Sequence, residues 1–488
     1  MGLIAANGYY LPAGYGQGQL EFSTRCFERS GLQVQLSVLV VTSALVESLS
    51  AYLKKSRQEH LARLPVRHII DVLDEASRRW LDAGYPPRKT AIDALHVITG
   101  FSREIVAASI DAEMESSLGD HMWQALCSEI RNPLYLDDFQ YSAELNGYSR
   151  AFGPELIVSF FSENIPALPH LLFMRAALVK AACLGKVASG EPAFAPLYLK
   201  TIEDIDPGIA ACMAVLYWQG GSAEVEDAAF ARADAAIVFG GEEACSALAE
   251  RIPRSVKLLV HGHKLGFGVI GKKALGRDGI DALAAAIAYD HGMFDQQACL
   301  APQAYYVEEG GEVSPAEFVD KLAQAMDELE AKLPRGSISA GEAAAVNQSR
   351  VRYEIRQLQA AEVMLRCPAR GTGWTIACER APAVLTVSPR NRFVRLWAVE
   401  DIFQILPALQ PVRRFLQNAA VAIGDERELA FIRSLGELGV SRVTAPGAMP
   451  LPSMMWHHDG IAALASLLRW CDIEKKDTVS GLEANNRG

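Results

Sequence analysis

The chain has 488 residues, half of them hydrophobic, which suits roughly two to four domains with substantial cores and excludes a single small module. Its net charge of −11 excludes the basic surcharge of a nucleic-acid binder and leaves small molecules and proteins as partners. Nine cysteines without a CxxC pair point to free thiols rather than a disulfide framework or a zinc cluster, and no metal is expected.

In chain order, residues 1–150 read as a mainly helical region packing on the α/β domain C-terminal to it, after an irregular Gly/Tyr-rich start. The uncharged stretch 30–46 is interrupted by Gln33, Gln35, Ser37, Thr42 and Ser43 and alternates as Leu32, Val34, Leu36, Val38. That pattern predicts a half-buried strand, not a membrane span. No basic segment followed by an apolar run opens the chain, so a cytoplasmic location is expected. Ile69, Val72, Leu73, Ala76 and Trp80 fall on one face of a helix, a packing stripe.

From residue 155 apolar segments at 156–161, 213–218, 235–239 and 256–260 alternate with helix-like runs, the first of which extends to Leu184. Alternation of this kind predicts a parallel sheet with crossover helices, a Rossmann-like domain over residues 151–262. Gly240-Gly241 ends one strand just before a helix near Glu242, where backbone N–H groups could receive a phosphate; the same pair also suits a plain tight turn. The GxGxxG fingerprint is not present at this position.

Residues 263–445 predict a second α/β domain. It contains a helix over 281–289, the segment DHGMFDQQACLAPQ at 290–303, and a helix start at Ser314-Pro315-Ala316-Glu317 with the form of a capping box. Residues 336–390 read as more irregular. The C-terminal segment 446–473, which opens with a Pro/Met/His-rich stretch at 446–460, is expected to close the cleft between the two α/β domains, and the polar tail 474–488 to be disordered.

Cys299, preceded by Gln296-Gln297 and flanked by small residues, has the setting of a catalytic thiol on a turn entering a helix, whose N-terminus would favour the thiolate. A buried structural thiol fits the composition as well.

Gln297 and Cys299 resemble the GQxC nucleophile motif of aldehyde dehydrogenases, with Gln296 standing where that superfamily has Gly. Ser162-Glu163-Asn164-Ile165-Pro166 resembles its Trp-Asn-Phe-Pro segment, Gly185-Lys186-Val187-Ala188-Ser189 its Lys-Pro-Ser-Glu strand, and Gly240-Gly241 its Gly-Ser turn. The resemblance implies an aldehyde dehydrogenase-like α/β fold, Cys299 as nucleophile, Asn164 as oxyanion donor, and cofactor contacts from Lys186, Ser189, Gly240 and Gly241. Together, ENIPALP, LGKVASGEP, HGHK followed by FGV, DQQACLAP, LPRG and PLPSMMWHHDG are similar to the fatty-acyl-CoA reductases of bacterial luminescence, from Leu61 to Asp472. That likeness implies reduction of a fatty acyl-CoA or acyl carrier protein thioester to an aldehyde, and association into homo-oligomers.

Departures from the aldehyde dehydrogenase pattern sharpen the expectation. The carboxylate that activates a deacylating water is matched by Val260, which disfavours hydrolysis of an acyl-enzyme. The acidic ribose ligand is matched by Ser189, with Glu191 displaced by two positions, which favours NADPH. No nicotinamide-ribose contact carries over to residues 388–393. His261 and His263 are candidate proton donors, and His457 and His458 lie in a segment that resembles the wall of the acyl tunnel, so that one of them, His457 as the candidate, is expected to face the substrate. Two rivals remain open on the sequence, a CoA-acylating aldehyde dehydrogenase and a catalytically silent partner that presents an acyl chain.

Overall fold

The computed structural model describes residues 2–16, 20–29, 31–162, 165–359, 362–382 and 384–474. The tail expected at 474–488 therefore lies outside the described residues apart from Glu474.

The Gly/Tyr-rich stretch 8–16 is irregular as expected, but it lies between strands of a sheet that precedes the helices. Phe22–Arg29 and Leu32–Leu39 form an antiparallel hairpin, and Gly2–Asn7 adds to it in parallel. The inward side chains Val34, Leu36 and Val38 follow the two-residue alternation of a half-buried strand. The partner strand, FSTRCFER, is mostly exposed and polar, so its pattern carries little hydrophobic signal. Reciprocal backbone hydrogen bonds of 2.9 Å between Tyr10 and Val215 tie this sheet to the centre of the molecule. Five helices lie between Ser43 and Ile130. Val66–Leu81 buries Ile69, Val72, Leu73, Ala76 and Trp80, and the Trp80 indole donates to Thr201 Oγ1 at 3.1 Å, so helical region and neighbouring sheet share one core.

That sheet has five parallel strands in the order Lys257–His261, Ala235–Phe239, Leu156–Phe160, Ala182–Lys186, Met213–Leu216. The chain starts in the middle, moves outward on one side, and returns to the other. The crevice beyond the carboxyl ends of Leu156–Phe160 and Ala235–Phe239 is thus the topological switch point, where open α/β sheets hold ligands. Leu184 belongs to a strand and not to the preceding helix, which ends at Leu178.

A second sheet of seven strands runs Met364–Arg366, Thr375–Arg380, Phe393–Val399, Pro302–Glu308, Leu265–Ile270, Leu416–Ala422, Arg442–Thr444, all parallel except the first. The capping box at Ser314 is formed, Ser314 Oγ accepting from the Glu317 N–H at 3.2 Å. The stretch expected to be irregular contains a helix, Ala340–Gln359, started by a second capping box, Ser339-Ala340-Gly341-Glu342. Finally, Arg469–Ile473 pairs with Gly147–Phe152, so the C-terminal segment must cross the face of the molecule to reach it.

Candidate active site

Between the carboxyl ends of the five-stranded sheet and the amino ends of the seven-stranded sheet lies a cavity of about 830 Å³, large enough for a drug-sized or acyl ligand. Cys299 lines it, together with Gly240, Gly241, His261, His263 and Lys264. Leu168, Leu171, Met454, Met455 and Trp456 supply an apolar wall.

Cys299 sits on a turn between the helix Ile280–Gly292 and the strand Pro302–Glu308. It enters a strand, not a helix as the sequence suggested, so no helix N-terminus favours its thiolate. The turn is held by an unusual backbone. Phe294, Asp295 and Gln296 are all left-handed, with φ of 57°, 50° and 61°, and face a second left-handed run, Arg390, Asn391 and Arg392, at 61°, 55° and 61°. Non-glycine residues adopt this region at a cost and persist there only when surroundings impose it.

Those surroundings are visible. The buried Asp295 carboxylate receives Arg392 Nε at 2.8 Å and the Gly336 N–H at 2.9 Å, and its carbonyl accepts the Asn391 N–H at 3.0 Å. A Cβ at Gly336 would run into the Gly100 carbonyl, so only glycine allows this approach. Gln296 Nε2 donates to the carbonyls of Pro302 and Phe393 at 2.8 and 3.2 Å, while its Oε1 accepts the Phe393 N–H at 2.9 Å. Gln296 thus stands in the left-handed conformation that a glycine adopts freely, and its amide bridges the two loops.

Burial pushes the Cys299 thiol up to about 12, and the Asp459 carboxylate adds to the effect. The N–H groups of Cys299 and Leu300 and the Lys264 ammonium act in the opposite direction. The thiol therefore rests protonated at neutral pH and needs a base to attack.

His261, at the end of the strand Lys257–His261, is buried. Its Nδ1 lies 2.8 Å from Asp459 Oδ2, and its ring packs against both Phe239 and His458 at centroid distances of 4.5 and 4.2 Å, those two rings lying 5.6 Å from each other. Trp456 extends the stack beyond His458 at 4.6 Å. Asp459, itself left-handed at φ 56°, is fixed by the Gln417 amide at 2.6 Å and faces Lys264 Nζ at 3.9 Å. Burial opposes its ionisation, but the hydrogen bond from His261 and the nearby imidazoles outweigh burial and hold it below the usual carboxylate range. Burial lowers His261, with Asp459 pulling the other way. His263 lines the cavity near Phe415 and is lowered by burial and then by Arg390.

Of the residues expected at the site, Cys299, His261, His263, Gly240 and Gly241 share the cavity, whereas Asn164 lies outside the described residues. His457 is exposed and does not line the cavity; the adjacent His458 lines it instead. Lys186 is half-buried at the end of its strand and Ser189 exposed on a turn closed by the Ala188–Glu191 bridge; the cavity reaches Ala188 but neither of those two. Val260 is likewise not among the cavity-lining residues, and its neighbour His261 is. Sequence reasoning misses the buried pair Asp295–Arg392, separated by 97 residues, and the pairing of His261 with Asp459, separated by 198. No local pattern marks either contact.

A free cofactor phosphate could approach Gly241, the N-cap of Glu242–Arg251, where a Cβ would meet nothing within 4 Å. The carboxylate of Glu191 accepts the N–H groups of Ala193 and Phe194 at 3.1 and 2.9 Å and so serves the start of the next helix.

Comparison with known proteins agrees with this geometry. The chain is 23% identical over 483 residues to long-chain acyl-protein thioester reductase 2 of Photobacterium leiognathi, covering 96% of this chain and 91% of that protein. Its fold matches an aldehyde dehydrogenase of Brucella melitensis biovar abortus 2308 with a TM-score of 0.68 at 13% identity, covering 93% of each chain. It also matches the NADP-dependent glyceraldehyde-3-phosphate dehydrogenase of Bacillus halodurans C-125, solved with NADP, with a TM-score of 0.69 at 12% identity, covering 97% of this chain and 98% of that one. The fold is therefore the α/β aldehyde dehydrogenase type. The family model for acyl-CoA reductase (LuxC) matches residues 61–470, and with the sheets, the cysteine turn and the shared cavity in agreement, the chain belongs to the acyl-CoA reductase (LuxC) family.

Proposed function

We propose that this protein reduces a fatty acyl thioester, carried by CoA or an acyl carrier protein, to the aldehyde with NADPH, through an acyl group held on Cys299. The observation that carries the reading is the single cavity that joins Cys299 to the Gly240–Gly241 turn at the sheet switch point. NADPH, when bound at that turn, supplies hydride to the acyl carbon.

The protein's own groups do the rest. Cys299 Sγ attacks the thioester carbonyl, and the Cys299 N–H, with the Asn164 amide as its expected partner, stabilises the oxyanion; donors of this kind contribute about 3 kcal/mol each. Leu168, Leu171 and the Met454–Trp456 wall receive the acyl chain and exclude water. Val260 in place of a carboxylate favours retention of the acyl-enzyme until it is reduced. Engagement of Glu191 with the backbone of Ala193 and Phe194 keeps its charge on the following helix, which supports a 2'-phosphate on the cofactor.

The test is loss of NADPH absorbance on mixing purified protein with a series of fatty acyl-CoAs and acyl carrier proteins, with the product identified by mass spectrometry. Aldehyde formation that disappears in Cys299→Ala is expected. Turnover retained in that variant would reject Cys299 as the nucleophile, and absence of both turnover and NADPH binding in the wild type would reject the reductase reading.

A further inference from the structure

We propose that His261, oriented by Asp459, is the proton carrier of the acylation step, taking the Cys299 proton and delivering it to the departing thiol. The inference rests on Cys299 being the acyl carrier.

Its basis is geometric. A carboxylate can only accept, so the 2.8 Å contact puts the proton of the neutral imidazole on Nδ1 and leaves Nε2 as the basic nitrogen of a residue that lines the cavity with Cys299. The ring has little freedom to turn, because it is buried, Phe239 and His458 pack against it, and Gln417 fixes the carboxylate that holds its Nδ1. Asp459 adopts a left-handed backbone to reach this position, a strain of the kind that collects at functional sites. Ligand atoms of His261, His458 and Asp459 lie within 4.8 Å of one another, as a metal site would require. However, the carboxylate already accepts from the imidazole and the Gln417 amide and faces an ammonium group, which is the pattern of an oriented dyad and not of a cation site.

The step balances. His261 Nε2 takes the proton of the Cys299 thiol as Sγ forms its bond to the acyl carbon; the oxyanion collapses, the carbon–sulfur bond to the carrier breaks, and the imidazolium protonates that thiolate. No electrons change hands. After hydride has been added to the acyl carbon, expulsion of Cys299 as thiolate yields the aldehyde, and the proton consumed per turnover returns to the thiolate from solvent. The hydride step therefore makes no demand on His261. The charges that face this imidazole are Asp459, which favours protonation, and Arg175 and Lys264, which with burial oppose it; His458 stacks on its face.

The two half-reactions can be read separately, as thiol release from a fatty acyl-CoA without cofactor and as NADPH oxidation by protein already acylated. His261→Gln should slow thiol release at pH 7 by about 100-fold or more, with the rate recovering about tenfold per pH unit as the thiol ionises unaided, while reduction of the acylated protein is unchanged. Asp459→Asn should slow it less and move its inflection to lower pH, because the carboxylate that favours the imidazolium is gone. In the wild type, alkylation of Cys299 by iodoacetamide should inflect at or below the ordinary histidine value of 6.5, and this readout needs no variant to fold. An unchanged rate in His261→Gln, a loss without alkaline recovery, or wild-type alkylation that inflects only near 12 would each overturn the proposal. Thiol release retained in Cys299→Ala would instead remove the reading on which it rests.

Discussion

At the scale of single residues, Gln296 shows how a departure from a family pattern can be compensated. Its left-handed backbone at φ 61° costs about 1–3 kcal/mol relative to glycine. In return its amide makes three buried hydrogen bonds to Pro302 and Phe393, each worth about 1 kcal/mol, although the Phe393 N–H also donates to the Arg390 carbonyl at 3.1 Å and keeps that partner without it. Gln296→Gly relieves the first term and forfeits the second, so a net loss of about 1 kcal/mol is expected by denaturant unfolding. A more stable variant would show that the bridge between the loops contributes nothing and that the superfamily glycine is simply the better residue. Acylation should slow as well, since the Gln296 bridge holds the turn that carries Cys299.

At the scale of elements, the helix Ala340–Gln359 connects surface capping to the site. Ser339 Oγ accepts the Glu342 N–H at 3.2 Å and Glu342 Oε2 accepts the Ser339 N–H at 2.8 Å, while the other Glu342 oxygen receives Gln297 Nε2 at 3.5 Å. Ser339→Ala should cost about 1 kcal/mol of stability, measured by thermal unfolding, through loss of the cap. If the box also steadies Glu342 against Gln297, the variant will acylate more slowly at unchanged affinity for NADPH; an unaltered rate would confine the box to stability. The serine and glutamate three residues apart are legible in the sequence, yet the region reads as irregular because its helix is long, polar and carries only Val346 and Arg350 as buried residues. Strand ends, the Gly240–Gly241 turn and the Ser314 box are legible because each is specified by residues within one turn of one another. The Asp295–Arg392 clamp and the His261–Asp459 dyad are not, since each joins chain segments that only the tertiary fold brings together. Which of the adjacent His457 and His458 faces the cavity is not legible for a related reason: it is set by how the tertiary fold lays this segment across the site, and His458 is the one that lines it.

At the scale of the whole molecule, the pH dependence of stability tests whether buried ionisable groups near and away from the cavity act as their surroundings dictate. Burial raises Glu113, on the cavity wall, to about 7, with Arg175 opposing the rise, and lowers His291, in the core beside Tyr305, to about 4. Between about pH 4.5 and 7 the folded protein holds a proton on Glu113 that the unfolded chain has released, so this group's contribution is full below 4.5 and is lost as pH rises through 7. Between 6.5 and 4 the unfolded chain binds a proton at His291 that the folded protein refuses, so this contribution is present above 6.5 and is lost as pH falls through 4. In the shared window near pH 5.5 the two act with opposite sign, each by about 1.4 kcal/mol per pH unit. Melting temperatures of Glu113→Gln should therefore climb more steeply with pH than those of the wild type, and those of His291→Gln less steeply. Slopes that move in the same direction in both variants would mean that at least one of the two groups keeps its ordinary protonation inside the fold, and a flat response in Glu113→Gln alone would place that carboxyl in contact with solvent through the mouth of the cavity.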